Sequence, residues 1–350
     1  MNSLLSFPQL VLNWYHKNGR KDLPWKIENS PYHTWISEIM LQQTQIKTVI
    51  PYYKKFVKTF PNIHVLANSS INDILKIWSG LGYYTRAHNL YSAAKIVIKN
   101  YNGKFPNNFF DIIRLPGIGR TTAGAILSFG FNFYACILDG NIKRVLLRYF
   151  SIHANTSIKI EKKLWSKVEL ITPIYNTNKF NQAMIDIGSL ICSKHKPKCN
   201  ICPINKKCTS YIKNDWSTYP IIKRKIVTTK RNIFFLIIQH QHFIFLNKHK
   251  FNNIWKGLYC FPIFHSQKDV LRWIKRKKIT IKNQEIFPSF LHKLLHLQLL
   301  CIPIRIEVKT PFLVDTKSQC NIWLNILKPS CIGFPSPIQK IFKTHFFFNT

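Results

Sequence analysis

The chain has 350 residues and a formal net charge of +37, from 51 Lys and Arg against 14 Asp and Glu. That length allows two domains with their own cores, and no apolar run is long enough to cross a bilayer, which argues against a membrane protein. The charge points to a polyanion partner, but Lys, Ile, Asn and Phe are abundant throughout, so it locates no site and instead makes each of the few acids in an apolar setting informative.

The N-terminus, MNSLLSFPQLVLNWYHKNGR, lacks an uninterrupted apolar core and a small-residue cleavage site, which reads as a cytoplasmic protein. Residues 1–210 read as mostly helical. Apolar residues recur at helical spacing in 33–50, 71–78, 87–99, 122–129, 142–150 and 180–191. Gly, Pro and Asn punctuate them at Pro61, Gly80–Gly82, Asn102–Gly103 and Pro116–Gly119. No heptad or other self-complementary element is visible, so a monomer is expected.

Glu38 lies in HTWISEIMLQQTQIKTV, 33–49, where a helix would give it Thr34, Trp35, Leu41 and Gln42 as neighbours. Burial beside Trp35 and Leu41 would raise its pKa and keep it protonated; on the other face it would be a surface Glu. The segment LPGIGRTTAGAILS, 115–128, reads as a Gly-rich hairpin between two helices. Gly117 and Gly119 permit a turn with positive φ and a close backbone approach. A helix starting near Thr121 would aim its first amides at one anion, most simply a DNA phosphate. A plain helix–helix connector is the alternative.

In ACILDGNIKRVLLRYF, 135–150, an apolar extended run delivers Asp139 to the start of an amphipathic helix. An Asp there caps amides, and the helix dipole favours its ionised form. Beyond simple capping, it is placed to stabilise positive charge on a deoxyribose. A protonated Glu with an ionised Asp is the pair that glycosidic cleavage requires.

Cys192, Cys199, Cys202 and Cys208 close a short loop with spacing C-x6-C-x2-C-x5-C, which also holds Lys194, His195, Lys196, Lys198, Lys206 and Lys207. Four thiolates so arranged suit a [4Fe–4S] cluster or a structural zinc. A disulfide knot is disfavoured without a secretory segment. The stretch 211–230, with Pro220, Lys223, Arg224 and Lys225, reads as a basic linker. Beyond it, 231–239 and 242–247 read as a β-hairpin, 268–277 as a helix, 290–306 as a strand pair and 336–343 as a helix. The second half is thus a smaller α+β domain.

Glu38 within SEIMLQQTQ, the hairpin LPGIGR, LDGNIKRV and the four-cysteine loop together resemble the adenine DNA glycosylase (MutY) family of the helix-hairpin-helix superfamily. RKDLPW, WSGLGYYTRAHNL and FNQAMIDIGSLIC fall in order between them, and the likeness resumes at NIWKGLYCFP, 253–262. The resemblance implies a mainly α helix-hairpin-helix glycosylase domain with a [4Fe–4S] loop at 192–208, followed by an α+β Nudix-like lesion-recognition domain at 231–350. It implies a monofunctional enzyme acting on double-stranded DNA with A:8-oxoguanine or A:G mispairs. Glu38 would protonate adenine, Asp139 would stabilise the sugar cation, and Asn141 would support Asp139. Gln43 and Tyr83 would enter the base stack while adenine is flipped out, and Trp25, Leu41 and Gln182 would line its pocket. Gly117, Gly119 and Thr121 would face DNA.

Endonuclease III-like lyases of the same superfamily carry Lys where this chain has Thr121, and a hydroxyl cannot form a Schiff base. Lys143, near Asp139 in sequence, is read as a phosphate contact or charge partner. The second domain has no acid-rich Nudix box, so nucleotide hydrolysis is not expected of it. Leu294, Leu295 and His296 stand where the family has a Phe-Ser-His turn that touches 8-oxoguanine; the His is kept and the hydroxyl is lost. The competing readings are a pyrimidine glycosylase/lyase, opposed by Thr121, and a DNA-binding iron–sulfur protein without catalysis, opposed by the presence of both Glu38 and Asp139.

Overall fold

The computed structural model describes residues 2–28, 30–153, 157–219, 229–248, 255–294, 297–312, 321–328 and 332–346. The chain forms two units: residues 1–67 with 92–223, and residues 68–91 with 224–350.

The first unit is helical. Its core gathers Phe7 and Val11 from helix Asn2–Asn18, Ile142 and Leu146 from Gly140–Tyr149, Leu164 and Val168 from Ser157–Ile171, and Phe180 and Met184 from Thr177–Asp186. The apolar stretch 33–50 makes two helices rather than one. Pro31–Leu41 starts under the Ser30 hydroxyl, which accepts from the His33 amide, and a second helix runs Ile46–Thr59. The break falls where Gln43 takes a left-handed backbone, φ +57°.

The reading of 211–230 as linker needs correction at both ends. Residues 209–212 form a helical turn, 216–218 another, and Tyr219, 1 % exposed, belongs to the first unit's core. Residues 229 and 230 already open a strand. Only the basic run between them lies outside the described residues.

The second unit is built on a mixed sheet. Its strands are β1 (Thr229–His240), β2 (Phe243–Lys248), β3 (Tyr259–Cys260), β4 (Ile263–Phe264), β5 (Ile281–Ile286), β6 (Phe290–Lys293), β7 (Leu297–Val308) and β8 (Asn321–Asn325). The main order is β3-β2-β1-β7-β5, with β4 on β1, β6 on β7 and β8 on β2. β1 and β7 pair in parallel from Thr229↔Leu297 to Gln239↔Glu307; the other pairs are antiparallel. Helix Gln267–Arg276 buries Val270 and Ile274 against Leu236, Ile304 and Ile306. Helix Ser336–His345 buries Ile338, Ile341 and Phe342. Helix Ile71–Trp78, closed by a reciprocal Ser70–Asp73 capping box, and the start of helix Thr85–Tyr101 belong to this unit although they lie early in the sequence.

Candidate active site

A cavity of about 200 Å³ opens in the first unit, and Glu38 lines it. Trp25, Leu41 and Gln182 line the same cavity, so the structure gathers all three residues assigned to the base pocket around the assigned acid. Trp25 is held edge-on to Tyr53, ring centroids 5.4 Å apart. Burial, and secondarily the charge of Asp139, push the Glu38 carboxyl up from its ordinary 4.5 to about 7. Trp35 does not line the cavity. Its side chain is fully buried and packs between Tyr32 and Phe105, while Thr34, Ser37 and Leu41 are the helix neighbours that share the cavity with Glu38.

Asp139 is the N-cap of helix Gly140–Tyr149. It accepts from the Ile142 amide at 2.7 Å and from the Asn141 side-chain amide at 2.8 Å. Burial raises its pKa, and these hydrogen bonds and the Arg144 charge only partly offset that. The helix N-terminus therefore does not hold Asp139 at a depressed pKa, as capping alone implied. Burial raises both carboxyls, and the charge of Asp139 further raises Glu38, whose value of about 7 lets it hold a proton near neutrality.

Asn141 is fixed on both sides, since its carbonyl oxygen accepts from Arg144 at 3.0 Å. Gly188 makes this possible. A methyl group there would sit 2.6 Å from the Asn141 Cβ, so the two segments approach only because position 188 is bare. Thr121 donates to the Leu138 carbonyl at 3.1 Å, which places position 121 beside Asp139 along the chain.

The hairpin differs from expectation in one respect. Gly117 has φ +79°, a conformation other residues reach only with strain. Gly119 is extended at φ −99°, ψ 177°, and caps helix Arg120–Ala125 with open space where a Cβ would lie. The first amides of that helix precede its first internal bond, Ala123 N–H to Gly119 O at 2.9 Å. The Arg120 side chain is turned onto the Trp165 ring, 3.8 Å from its centroid, and pairs with Glu169. An anion at this hairpin would therefore meet backbone amides. Lys143 is paired with Glu161 at 2.8 Å, the charge-partner reading.

Gln43 and Tyr83 are both exposed and both left-handed, at φ +57° and +49°. A residue held so costs on the order of 1–3 kcal/mol, and such positions concentrate at functional turns. Gly117, Gln43 and Tyr83 lie on connections between helices. His296 and Leu295 lie outside the described residues. Leu294 exchanges backbone hydrogen bonds with Leu297, N–H to O at 2.8 Å and 3.3 Å.

Sequence reading missed the floor of the cavity. Arg20, Lys26 and Tyr15 line it. Fully buried Asp186 accepts from the Arg20 amide at 2.9 Å, from its guanidinium at 2.6 and 2.9 Å, and from Gln182 at 2.9 Å. Gln182 is thus oriented by a buried ion pair. Lys26 donates to the Arg20 carbonyl, and burial lowers its pKa to about 8. The signal was present, because Asp186 is one of few acids and sits in the apolar run AMIDIGSLI.

None of the four loop cysteines forms a disulfide, and all four line one cavity together with Arg148. Among the described residues, no three His, Cys, Asp or Glu side chains converge as a single-ion shell would require. Arg148, 2 % exposed, donates to the Cys192 sulfur at 3.3 Å and to the carbonyls of Ser193, Lys194, Trp216 and Tyr219. A buried guanidinium whose hydrogen bonds go to carbonyls and a sulfur, with the Trp216 ring centroid 5.5 Å away, fits an anionic thiolate centre. Arg144 donates to the Cys192 carbonyl at 2.7 Å. The helix capped by Asp139 therefore also holds the loop, one turn and two turns further on.

Residues 36–170 match the HhH-GPD superfamily base excision DNA repair protein family, and 233–344 match the NUDIX domain. The chain is 55 % identical to an adenine DNA glycosylase of Buchnera aphidicola subsp. Baizongia pistaciae, over 99 % of this chain and 98 % of that protein. It is 51 % identical to the adenine DNA glycosylase of Buchnera aphidicola subsp. Acyrthosiphon pisum, over 96 % of both chains. Among solved structures, a thermostable thymine-DNA glycosylase aligns with TM-score 0.55 and 30 % identity, over 61 % of this chain and 98 % of that one. A non-covalent endonuclease III–DNA complex aligns with TM-score 0.52 and 20 % identity over 61 % of this chain, a likeness of fold. With the paired carboxylates, the hairpin and near full-length identity in hand, this chain belongs to the adenine DNA glycosylase family.

Proposed function

We propose that this enzyme removes adenine mispaired with 8-oxoguanine or guanine in double-stranded DNA, by hydrolysis of the N-glycosidic bond. The observation that carries this is a carboxyl lifted to about 7, Glu38, facing a cavity walled by Trp25, Leu41 and Gln182, with Asp139 near enough to act on it electrostatically. The flipped base enters the cavity and Glu38 gives it a proton. The C1′–N9 bond then breaks with its electron pair leaving on neutral adenine. Asp139, held by Ile142 and Asn141, faces the resulting oxocarbenium sugar, and water adds at C1′, giving its proton back to the Glu38 carboxylate, to leave an abasic site. Gln43 and Tyr83 fill the stack that the base vacates, and the amides behind Gly117 and Gly119 hold a phosphate. His296 reads the partner base. The protein acts as a monomer in the cytoplasm, on the nucleoid. Release of free adenine from A:8-oxoguanine and A:G duplexes tests the reading; a rate ratio unchanged on removing 231–350 would deny the second domain a part in reading the lesion.

Thr121 makes the enzyme monofunctional. The wild type should leave an alkali-labile site in an unbroken strand. Thr121→Lys should gain a borohydride-trappable enzyme–DNA adduct and strand cleavage, because an amine then lies beside Asp139. Efficient strand cleavage by the wild type, insensitive to Lys143→Ala, would contradict this.

Cys192, Cys199, Cys202 and Cys208 would hold a [4Fe–4S] cluster, which when bound orders this loop. Four cysteines around one cavity, with the Arg148 guanidinium on the Cys192 sulfur, suit such a cluster. Freshly purified protein should be brown, with about four irons per chain and no stoichiometric zinc. One zinc and no iron would reverse the assignment.

A further inference from the structure

The Ser79 hydroxyl ties the loop that carries Tyr83 to the C-terminal part of its own unit. Ser79 Oγ donates to the Phe334 carbonyl at 2.6 Å, and it accepts from the Phe334 amide at 3.1 Å and from the Gln339 side-chain amide at 2.7 Å. These partners lie 255 and 260 residues away in sequence. The neighbouring contacts are tight. A Cβ at Gly333 would lie 2.8 Å from the Leu75 carbonyl, and one at Gly257 would lie 2.8 Å from the His88 ring. The His88 ring meets the Lys256 carbonyl at 3.2 Å, and Lys248 donates to Asn72 at 3.1 Å.

Between Ser79 and Tyr83 the backbone is left-handed at Gly80 (φ +97°), Gly82 (φ +76°) and Tyr83 itself. Such a run has no preferred form in isolation and is held by what surrounds it. Within the loop, the Gly80 amide donates to the Tyr84 hydroxyl at 3.1 Å. Trp78 and Arg86 donate to the Gly82 carbonyl at 3.2 and 3.1 Å. The Arg86 guanidinium lies 5.3 Å from the Tyr83 ring centroid. All these bonds fix the loop internally, whereas Ser79 fixes where it starts.

We infer that Ser79 and Gln339 are positioning residues through which the Nudix-like domain sets the aim of Tyr83, so that this domain serves base extrusion as well as lesion reading. The inference rests on the reading of Tyr83 as the side chain that enters the stack. A structural tie elsewhere in the domain would lower stability; this one should act on extrusion through Tyr83.

The test uses the full chain and a duplex in which 2-aminopurine replaces the target adenine, so that its fluorescence reports unstacking. The proteins are wild type, Ser79→Ala, Gln339→Ala, Tyr83→Ala and the two double variants with Tyr83→Ala. Gln339→Ala, which removes one of the three hydrogen bonds, should lower the extrusion equilibrium and the single-turnover excision rate about five-fold, and Ser79→Ala, which removes all three, should lower them at least as much. Affinity for undamaged duplex should stay within two-fold, roughly, because no phosphate contact is touched. Added to Tyr83→Ala, either change should have no further effect, since both act through the same ring. Full additivity, or unaltered extrusion in both single variants while Tyr83→Ala lowers it, would overturn the inference. If Tyr83→Ala itself leaves extrusion intact, the reading of Tyr83 fails instead, and the inference with it. Should Ser79→Ala not fold, Gln339→Ala alone decides, because it removes one bond from a half-buried amide at the surface of the same contact.

Discussion

Glu38→Gln is expected to lower adenine excision by at least about three orders of magnitude while mismatch affinity stays near wild type. The amide fills the same space beside Leu41, Thr34 and Ser37 but has no proton to give. In the proposed reading, binding would depend on phosphates and the hairpin amides, none of which the change touches. The pH dependence follows from the raised carboxyl. Wild-type single-turnover excision should fall roughly tenfold per pH unit above about 7, where Glu38 loses its proton. It should also fall at acid pH, as Asp139 gains a proton at a value raised by its burial. Stability carries the same signature. Glu38 binds its proton more tightly folded than unfolded, so its effect on stability is harmless below the unfolded value of 4.5 and becomes a growing cost as pH rises to about 7. Glu38→Gln should therefore stabilise the fold at pH 8, by up to on the order of 3 kcal/mol, and leave it nearly unchanged at pH 4. Equal denaturation midpoints for the two proteins at pH 8 would show that this carboxyl is not held up by burial.

Asp139→Asn is expected to cost several orders of magnitude in excision, with the fold preserved. Asn caps helices about as well as Asp, so the bond to the Ile142 amide survives. What would be lost is the negative charge proposed to face the sugar cation. A second consequence distinguishes this account from simple damage to the helix. The Asp139 charge helps raise Glu38, so in the variant the alkaline limb of the residual rate should move to lower pH. A limb that stays put, or a variant with near-normal turnover, would remove Asp139 from the pair.

Motifs that act through local geometry could be read from the sequence. Asp139 caps its helix as LDGN implied, Gly117 takes the positive φ of its turn, and β1 and β2 follow their apolar runs. Features that depend on distant partners could not. Strand β5 reads KNQE in its middle and has no alternation, because it lies at a sheet edge with most of its side chains exposed. Residues 71–78 read correctly as a helix, yet nothing local says that Ser79 will meet Phe334. The Arg20–Asp186 pair under Gln182 joins residues 166 apart. The surroundings of Glu38 were read from helix spacing alone, which named Thr34, Trp35, Leu41 and Gln42. Thr34 and Leu41 do line the cavity, joined by Ser37, while Trp35 is turned into the core.

The central claim is that this chain protonates and releases adenine without cutting DNA, and single-turnover base release by the full-length protein tests it most directly. Duplexes carrying A:8-oxoguanine, A:G or thymine glycol are compared at pH 6 and pH 8, with strand integrity followed before and after alkali. The account predicts free adenine from the first two substrates, slower release at pH 8, strands broken only by alkali, and no reaction on thymine glycol. Release of thymine glycol with direct strand cleavage, or adenine release that does not slow above pH 7, would contradict it.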